Sequence, residues 1–392
     1  MDSCGDETEV MKKQVALIIE TSSSYGRNLL AGIVRFKRVR DDWSVFLEQR
    51  DLTQEPPAWL ASWSGDGIIS RATTPDLIAA IQALGIPLVE LTDRRDDSGL
   101  PLVRSDDAAI GRMAAEHLLE RGFRHFGFCG FKDEAWSHRR QVAFADRVAA
   151  AGFQCRSLES HWVGPQAKPW EDEQRLLIEW LRSQSRPCGL MACNDIRGQH
   201  LLDSCAKIGY AVPEEVAVIG VDNDEILCQI SSPPLSSVIP NAELVGFRAA
   251  ELLSALMAGT EPAQLVHILE PRGVATRQST DIVAIDDPAI AMALHFIRQR
   301  ACRNISVLDV VEHCAVSRST LERQFRKLLG RTPQQEIRNA QVKRVRELLA
   351  TTELSTEQIA ALCGFEHPEY LHVVFKRMTG TTPGEYRRQT NP

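Results

Sequence analysis

The chain has 392 residues, of which 44% are hydrophobic and 25% are charged, so we expect an ordinary soluble protein of two or three domains. It has no apolar run of about eighteen residues, which argues against a membrane span or a membrane partner. The net charge of −7 is uneven: residues 1–287 hold 29 basic against 42 acidic residues, and residues 288–392 hold 16 against 10. The basic C-terminal part is therefore a candidate for binding nucleic acid.

The ten cysteines occur singly, without a CxxC motif or a Cys/His cluster at the spacing of a metal site. No secretory segment precedes the first predicted strand. These features predict reduced, mostly buried thiols in a cytoplasmic protein, with no metal and no cofactor. Residues 1–12 are polar and are predicted to be a disordered lead-in.

From residue 14 the chain alternates strand-like apolar runs with helical ones. In the first part the predicted strands are 15–20, 44–48, 67–70 and 87–91, and the predicted helices are 27–38 and 75–84. A second group follows, with strands 125–129, 189–192 and 216–221 and helices 108–121, 139–151, 197–208 and 244–257. This alternation predicts an α/β fold with parallel sheets covered by helices on both faces.

Several segments of this region resemble the effector domain of LacI/GalR-type regulators, which is itself similar to periplasmic sugar-binding proteins. The segments are DGIIS, VRSDDAAIGRMAAEHLLERGFRHFGFCG, LMACNDIRGQHLLDSCAKIGYAVPEEVAVIGVDND, PPLSSVIPNAELVGFRAAELL and RQST. The resemblance implies a two-lobed sensor domain over residues 13–280. LacI-type regulators carry their DNA-binding headpiece before this domain, whereas here the first strand begins almost at the N-terminus, so we expect the order to be inverted.

A short pattern occurs twice near the C-terminus, with its two copies fifty residues apart. The corresponding positions are Leu321 and Leu371, Phe325 and Phe375, Leu328 and Met378, Gly330 and Gly380, and Thr332-Pro333 and Thr382-Pro383. The apolar spacing predicts one stripe on a helix that ends at the glycine. A shorter apolar helix precedes each copy, at 307–314 and 356–363, and the two are joined by a tight turn. Helix, tight turn and helix with a basic face is the helix-turn-helix pattern.

Two such units closing on GFEHPEYLHVVFKRMTGTTPGEYRR resemble the AraC/XylS-type transcription regulators. The resemblance implies an all-α domain, predicted over residues 287–388, that binds double-stranded operator DNA with the second helix of each unit. By position, the DNA-binding residues are Arg318, Ser319, Glu322, Arg323, Arg326, Lys327, Glu369, His372, Val373, Lys376 and Arg377. Of these, Arg323 is the best candidate for base recognition, because a guanidinium can bond guanine O6 and N7 together.

The alternative is a domain of ordinary amphipathic hairpins in which Arg326, Lys327, Lys376 and Arg377 are solvated surface residues. The repeated Gly and Thr-Pro positions argue against that alternative. Residues 333–349 are predicted to be a rigid connecting helix with Ile337, Val345 and Leu348 buried. Asp287 and Pro288 are predicted to cap and start a helix over 289–300, after a linker over 281–286.

A LacI-like sensor followed by an AraC-like reader is the layout of the xylose operon regulators. The combined resemblance implies a sugar-responsive regulator whose effector is a pentose, D-xylose, with another small sugar as the alternative. It further implies a homodimer that activates transcription with RNA polymerase as a partner. Gly26 departs from this pattern, since an acidic residue is expected there.

A sugar pocket needs carboxylates, amides and guanidinium groups for the hydroxyls and an aromatic plate for the sugar face. Matching the LacI-like family by position gives Tyr25, Arg27, Asp106, Arg140, Asn194, Asp195, Arg197 and Asp222 as effector-binding candidates. They lie at predicted strand ends, where open α/β sheets bind ligands. Trp63 and Trp136, like Tyr25, are candidates for stacking on the sugar.

These positions also have plainer interpretations. Asp195 and Asp222 have the sequence context of helix caps or turn residues, and Arg27 that of a surface base. An enzyme is the second functional class, but Ser22, Ser23 and Ser24 lack the G-x-S-x-G elbow and Gly127 and Gly130 form no dinucleotide fingerprint. A transport solute-binding protein is disfavoured by the attached DNA reader.

Overall fold

In the computed structural model, the described residues are 12–40, 42–49, 57–71, 75–91, 99–132, 134–162, 166–282, 284–285 and 287–390. The chain divides into two compact units, residues 1–282 and residues 283–392. The predicted linker, 281–286, spans this division, and residues 283 and 286 lie outside the described set, as do residues 1–11 of the predicted lead-in. Within the described residues, no helix combines the length and apolarity that crossing a membrane requires.

The first unit contains two lobes, each built on its own sheet. Lobe 1 consists of β1 (Lys13–Ile18), α1 (Ser24–Arg40), β2 (Trp43–Leu47), β3 (Gly67–Ser70), α2 (Pro75–Ala83), β4 (Leu88–Glu90) and β5 (Leu102–Ser105), together with α8 (Ala242–Met257) and β11 (Val266–Leu269). Its sheet has the order β11-β5-β4-β3-β1-β2. All neighbouring pairs of described strands in this sheet are parallel.

Lobe 2 is formed by the segments between β5 and α8 and after β11. It consists of α3 (Asp107–Leu119), β6 (His125–Lys132), α4 (Ala135–Ala150), β7 (Cys155–His161), α5 (Trp170–Arg182), β8 (Cys188–Ala192), α6 (Asp195–Ile208), β9 (Val216–Val221), α7 (Glu225–Ile230), β10 (Ser236–Ile239) and β12 (Gly273–Ala275). The sheet order is β12-β10-β9-β8-β6-β7. β12 runs antiparallel to β10, and the other described pairs are parallel.

The chain passes between the lobes after β5, after β10 and after β11. Each lobe is therefore made of segments that are distant in sequence, and three short crossings join the lobes. This two-sheet architecture confirms the predicted α/β fold of the periplasmic-binding-protein type. It also places the carboxyl ends of the parallel strands of each lobe near the crossings, where a cleft binds ligands in such folds.

Lobe 1 is held together by an unusually close contact between α1 and α8. A β-carbon added at Gly32 would lie 1.9 Å from the backbone oxygen of Glu243, and one added at Gly246 would lie 1.9 Å from that of Leu29. The two helices thus meet backbone to backbone, which only glycine permits. Leu29 and Ile33 on one helix and Val245 and Leu253 on the other are buried in the same core cluster.

Several strands and α-helices of the first unit fall outside the predicted elements, namely β5, β7, α5, α7, β10, β11 and β12. The missed strands are short or lie at sheet edges: β7 and β11 form edges and are partly exposed, so they lack the continuous apolar run of a buried parallel strand. Helix α5 differs, because its buried Leu177, Trp180 and Leu181 follow helical spacing. This spacing is a helical signal that the predicted elements do not include.

The second unit is helical throughout its described elements. Its helices are α9 (Pro288–Arg300), α10 (Val307–Cys314), α11 (Arg318–Leu329), α12 (Pro333–Thr351), α13 (Thr356–Leu362), α14 (Pro368–Thr379) and α15 (Pro383–Thr390). The predicted all-α domain with two helix-turn-helix units is confirmed. The structure places the predicted N-cap as expected, since the Asp287 side chain accepts hydrogen bonds from the backbone of Ala289 and Ile290 at 3.0 and 3.3 Å.

The repeated Gly and Thr-Pro positions have a clear local role. Gly330 and Gly380 end α11 and α14 in the left-handed region, at φ of 66° and 82°. Thr332 then caps the next helix in a reciprocal capping box with Gln335. In the second copy, Thr382 exchanges the corresponding bonds with Glu385 at 2.8 and 3.3 Å. The repeat therefore encodes a helix stop followed at once by a helix start.

The apolar stripe of the repeat is only partly buried. Leu321 and Phe325, and their counterparts Leu371 and Phe375, are fully buried, whereas Leu328 and Met378 are 41% and 38% exposed. The last turn of each helix therefore projects beyond the core. In the connecting helix α12, Ile337, Val345 and Leu348 are buried as predicted, and α9 buries Ile290, Leu294 and Ile297.

We predict that Gly246→Ala destabilises the first unit by about 1–3 kcal/mol, because the new methyl group would overlap a backbone oxygen that cannot move without shifting α1. Gly198→Ala is a matched control in α6, since its nearest neighbour is a terminal methyl group of Leu235 at 2.7 Å, which can rotate away. Urea unfolding followed by tryptophan fluorescence measures both. Equal losses for the two variants would contradict the backbone contact.

Candidate functional site

Polar side chains end four adjacent strands of lobe 1. Glu20 follows β1, and Ser70, Glu90 and Ser105 are the last residues of β3, β4 and β5. All four residues are fully buried. Because these strands are parallel, their carboxyl ends lie along one edge of the sheet and form a polar wall.

Glu20 is placed by the residues that follow it. Its carboxylate accepts a hydrogen bond from the Ser23 hydroxyl at 2.6 Å and forms an ion pair with Arg71. A β-carbon at Gly26 would lie 2.7 Å from Glu20 Oε1 and 2.1 Å from its backbone oxygen. The carboxylate thus occupies the space that a side chain at position 26 would fill. This explains physically why glycine stands where an acidic residue was expected.

Tyr25 and Arg71 complete the wall of lobe 1. The guanidinium carbon of Arg71 lies 4.6 Å from the centroid of the Tyr25 ring, in cation–π geometry. The Tyr25 hydroxyl is 2.8 Å from the Ser105 hydroxyl. Tyr25 is buried, so its role in the structure is to support Arg71 and to join the ends of α1 and β5.

On the facing lobe, Asp107 holds two arginines of α4. Arg140 Nε donates to Asp107 Oδ1 at 2.9 Å, and Arg139 donates to Oδ2 at 2.9 Å. Arg140 also donates to the backbone oxygen of Cys193 at 2.7 Å. The predicted Asp106 is instead the N-cap of α3, accepting from Ala109 at 2.8 Å. Asp107, and not the Asp106 selected from sequence, therefore supplies the carboxylate that binds these arginines.

Asp222 follows β9 and has an unusual backbone, with φ of 108°. Burial raises the pKa of its carboxyl to about 6. The charges of Arg140 and Arg71 lower this pKa, whereas those of Asp107 and Asp224 raise it. Arg71 belongs to lobe 1 and Arg140 to lobe 2, so groups of both lobes act on this carboxylate. A strained backbone at such a position is typical of functional sites.

Arg27 connects the lobes directly. Its guanidinium lies 3.8 Å from Asp224 Oδ2 in lobe 2. Within lobe 1 it donates to the backbone oxygens of Thr21 and Ser22 at 3.0 and 2.9 Å. Although its side chain is half exposed, Arg27 fixes the loop after β1 and faces the loop after β9.

Three further effector-binding candidates, Asn194, Asp195 and Arg197, form hydrogen bonds or ion pairs within lobe 2. Asn194 caps α6, accepting from Arg197 at 2.9 Å. Asp195 accepts from the Ser237 hydroxyl at 2.6 Å and from the backbone of Asp224 at 2.8 Å, and burial and the nearby Asp222 charge raise its pKa. These bonds match the turn-and-cap interpretation of Asp195.

Arg197, the third of these candidates, is fully buried. It bonds Glu173 at 2.5 Å, the Ser160 hydroxyl at 2.8 Å and the Cys129 sulfur at 3.1 Å. These contacts join α6 to α5, β7 and β6. In the structure, this guanidinium joins the interior elements of lobe 2, and its predicted contact with an effector stays a prediction.

An aromatic cluster adjoins Arg140 at the start of α4. Phe131 stacks on Trp162 with centroids 4.9 Å apart, and Trp136 meets the Trp162 ring edge to face at 6.1 Å. Arg140 lies 4.9 Å from the Trp136 ring. Trp63, by contrast, packs in lobe 1 with Phe46 and Trp59. Of the tryptophans considered from sequence, Trp136 is the one beside the charged groups.

The sequence matching missed Glu20, Ser70, Arg71, Glu90, Ser105 and Asp107. The signal for most of them was present, because each buried strand of lobe 1 ends in a polar residue and parallel strands present their carboxyl ends together. Arg71 directly follows Ser70. The ends of the predicted strands 15–20, 67–70 and 87–91 indicate Glu20, Ser70 and Glu90, whereas Ser105 ends the unpredicted β5 and Asp107 lies in α3.

In the second unit, the predicted DNA-binding residues form two exposed surfaces. On α11, Arg318, Ser319, Arg323, Arg326 and Lys327 are exposed and Glu322 is half-buried. Arg318 forms an ion pair with Glu322 at 2.9 Å. No ion pair involves Arg323, Arg326 or Lys327 within the described part of the chain, so these cations face solvent.

On α14, the predicted residues Glu369, His372, Val373, Lys376 and Arg377 are all exposed. Tyr370, which sequence matching did not select, is 46% exposed on the same helix. Its ring lies 5.0 Å from the guanidinium carbon of Arg338 on α12. The surface of α14 thus includes apolar and aromatic side chains beside its basic residues, Lys376 and Arg377.

Both units match known families. Residues 14–99 match the XylR N-terminal domain, residues 115–280 a periplasmic binding protein-like domain, and residues 310–389 a helix-turn-helix domain. The chain is 31% identical over 382 residues to the xylose operon regulatory protein of Haemophilus influenzae, covering 95% of this chain and 98% of the relative. It is 30% identical to that of Escherichia coli K12, covering 96% and 97%.

The chain belongs to the family of xylose operon regulatory proteins. The solved structure of the xylose-binding transcription activator XylR superposes with a TM-score of 0.83 at 29% identity, covering 97% of this chain and 99% of that one. The protein is accordingly a sugar-responsive transcription regulator with a sensor domain and a helix-turn-helix DNA-binding domain. Its relatives are regulators and not enzymes. The described residues contain no group of metal-binding side chains.

We predict that Asp222→Asn changes how the stability of the sensor depends on pH. A carboxyl whose pKa is raised from 3.8 to about 6 in the folded state is protonated preferentially there. It therefore favours folding at low pH, and this contribution is lost as pH rises through about 6. The free energy of unfolding of the wild type relative to the variant should fall by up to about 1.4 kcal/mol per pH unit between pH 4.5 and 6.

Urea unfolding at pH 4.5, 5.5, 6.5 and 7.5 measures this difference. Asp76→Asn, which alters an exposed acid at the start of α2, is the control for a change of net charge. A wild-type-minus-variant difference that is constant across pH would contradict the assigned environment of Asp222.

Proposed function

We propose that the protein binds D-xylose in the cleft of the first unit and controls xylose-utilisation genes by binding operator DNA through the second. The proposal rests on one observation above the others. Opposed arrays of buried carboxylate, hydroxyl and guanidinium groups, one on each lobe, meet at the strand ends. A pentose carries hydroxyls that both donate and accept, so it is suited to bridge such arrays.

The wall of lobe 1 leaves polar atoms for a ligand. Glu20 Oε2 and Ser70 Oγ are buried and have no hydrogen-bond partner among the described residues. Burying such atoms costs about 1–3 kcal/mol each unless a partner is supplied. Sugar hydroxyls are suitable partners. On lobe 2, Asp222 and Arg140 supply the charge-assisted contacts, and Trp136 supplies an aromatic surface.

D-Xylose is preferred over other small sugars because of the relatives. The curated relatives are xylose operon regulators, and the similar solved structure is described as xylose-binding. A different pentose of similar size remains the second candidate, since the same groups would bind its hydroxyls. A panel of pentoses and hexoses separates the two.

The reader is proposed to bind DNA with α11 and α14. The α12 helix has 19 residues and is roughly 28 Å long at 1.5 Å per residue. Helices joined by such a spacer can enter successive major grooves, about 34 Å apart. Each protomer should then protect two patches one helical turn apart. Because operator DNA is the partner, the site of action is the cytoplasm.

We further propose that the protein acts as a homodimer and as an activator that contacts RNA polymerase. The support is the family relation, because the similar solved structure is named a transcription activator. Size-exclusion chromatography with light scattering tests the dimer. In vitro transcription with and without xylose tests activation.

The first prediction of this proposal concerns sugar binding. D-Xylose should stabilise the wild type by about 2.7 kcal/mol at a hundredfold excess over Kd. Asp222→Ala should weaken xylose binding by about 10- to 150-fold, because hydrogen bonds to charged groups contribute about 1.5–3 kcal/mol. The control is Asp203→Ala, at an exposed position of α6. Isothermal titration calorimetry measures the xylose affinity of the wild type, Asp222→Ala and Asp203→Ala. An unchanged xylose affinity in Asp222→Ala would contradict the placement of the site.

The second prediction concerns DNA reading. Arg323→Ala should cost about 1–3 kcal/mol on the operator and relax the preference at one base pair. Lys376→Ala should weaken binding to all sequences alike and reduce the salt slope by about one. Fluorescence anisotropy on operator and scrambled DNA at several salt concentrations measures both variants. Equal losses on both DNAs for Arg323→Ala would rule out base reading by this residue.

A further inference from the structure

The loop after β9 is the point where the two lobes and the end of the sensor domain meet. Asp222 and Asn223 have positive φ angles of 108° and 50°. Arg71 acts on Asp222 and Arg27 lies 3.8 Å from Asp224, so lobe 1 contacts both ends of the loop electrostatically. A non-glycine pair in this conformation is strained and persists only where surrounding groups hold it.

Arg277 is one of the groups that hold this loop. Its guanidinium donates to Asn223 Oδ1 at 2.7 Å and to the backbone oxygen of Leu235 at 3.0 Å. The residue stands two positions after β12, outside the effector-binding set. The planar fork of arginine lets one side chain fix the loop relative to the start of β10.

From Arg277 the hydrogen bonds continue toward the end of the first unit. The Ser236 hydroxyl donates to the backbone oxygen of Arg277 at 2.9 Å, and the Thr280 hydroxyl lies 2.7 Å from the Ser236 hydroxyl. Thr280 in turn is 2.8 Å from His117 Nε2, and its backbone oxygen accepts from Arg121 at 2.8 Å. All of these hydrogen bonds lie within the first unit.

This series of hydrogen bonds ends at His117, whose imidazole is uncharged. Burial, and then the charge of Arg121, lower the pKa of its imidazole to about 4. The ring therefore remains uncharged at physiological pH and holds Thr280 through a hydrogen bond that does not titrate there. Thr280 is two residues before the end of the first unit at Ile282.

We infer that Arg277 is a positioning residue that couples the effector cleft to the end of the sensor domain. Sugar contacts that move the 222–224 loop are transmitted by the Arg277 fork to residues 278–280, from which the chain continues to the reader. This inference rests on the proposed function, because it assumes that sugar and operator binding are coupled. It does not place Arg277 in the pocket.

The experiment measures the coupling factor, which is the ratio of xylose dissociation constants without and with operator DNA. In the wild type this factor should be about 5- to 150-fold, and the operator affinity should change by the same factor when xylose is added. Arg277→Met removes both guanidinium bonds and keeps much of the side-chain length. We expect it to bring the factor close to one while xylose affinity without DNA changes less than threefold.

Two further variants separate the bond from general damage. Asn223→Gly removes the acceptor while keeping a residue that tolerates positive φ, and it should reduce the factor as Arg277→Met does. The double variant should lose no more than Arg277→Met alone, because the bond to Asn223 is already absent in that variant. Arg272→Met is the matched control: Arg272 is exposed on the same segment and its side chain forms no ion pair within the described residues.

The outcomes distinguish the inference from the proposed function. A wild-type factor of one would overturn both. A wild-type factor well above one that survives in Arg277→Met and Asn223→Gly would overturn the inference alone. Loss of xylose binding in Arg277→Met without DNA would also overturn it, since Arg277 would then be required to shape the pocket itself and not for coupling alone. If Arg277→Met does not fold, Asn223→Gly and Arg277→Lys, which keeps the charge but not the fork, carry the same test.

Discussion

The charges of Arg71 in lobe 1 and Arg140 in lobe 2 both act on the Asp222 carboxyl, and this electrostatic link between the lobes is the constraint on which the proposed cleft depends. A carboxylate removed from water is costly unless opposite charges and donors surround it. Here lobe 2 supplies Arg140 and lobe 1 supplies Arg71, while Arg140 is itself balanced by Asp107 and Arg71 by Glu20. Burial raises the pKa of the Asp222 carboxyl to about 6 although both arginines lower it, so the cost of burial exceeds their combined effect.

Incomplete compensation is useful in a receptor. If each lobe satisfied all its own polar groups, a ligand would gain little by entering, and closure would have no driving force. In the proposed cleft, Glu20 Oε2 and Ser70 Oγ instead keep capacity for hydrogen bonds that a hydroxylated ligand would supply. The contact at Gly32 and Gly246 brings α1 and α8 of lobe 1 together backbone to backbone.

Sequence reasoning predicted the architecture well, for a physical reason. Buried parallel strands are continuous apolar runs, and the helix-turn-helix units repeat their caps at a fixed spacing, so both leave strong local signals. The Thr-Pro and Gly positions were informative because each has a single backbone role. The edge strand β7 is partly exposed and β12 has only three residues, so their sequences carry no comparable pattern.

The candidate site was predicted less completely, because side-chain direction is not visible in a sequence. Asp106 and Asp107 are neighbours, yet the first caps a helix and the second binds two arginines. Asp195 and Arg197 match the family by position, but their observed partners lie inside lobe 2. Glu20 was overlooked because its role follows from the space left by Gly26, six residues away. Contacts between lobes, such as Arg27 with Asp224, require the fold before they can be seen.

The two helix-turn-helix copies share their backbone plan but not their surfaces, and this bears on how the proposed reader would work. Helix α11 presents Arg323, Arg326 and Lys327 to solvent, which suits bidentate base contacts and phosphate contacts on one helix. Helix α14 presents Val373, 62% exposed, beside Tyr370. Such side chains are better suited to apolar contacts with thymine methyl groups and deoxyribose than to hydrogen bonds with guanine. Both helices have 12 residues and end at a glycine, although Ser317 caps the start of the first and a proline starts the second. In the proposed reader, the exposed faces then let the first copy carry more of the sequence preference and the second more of the positioning.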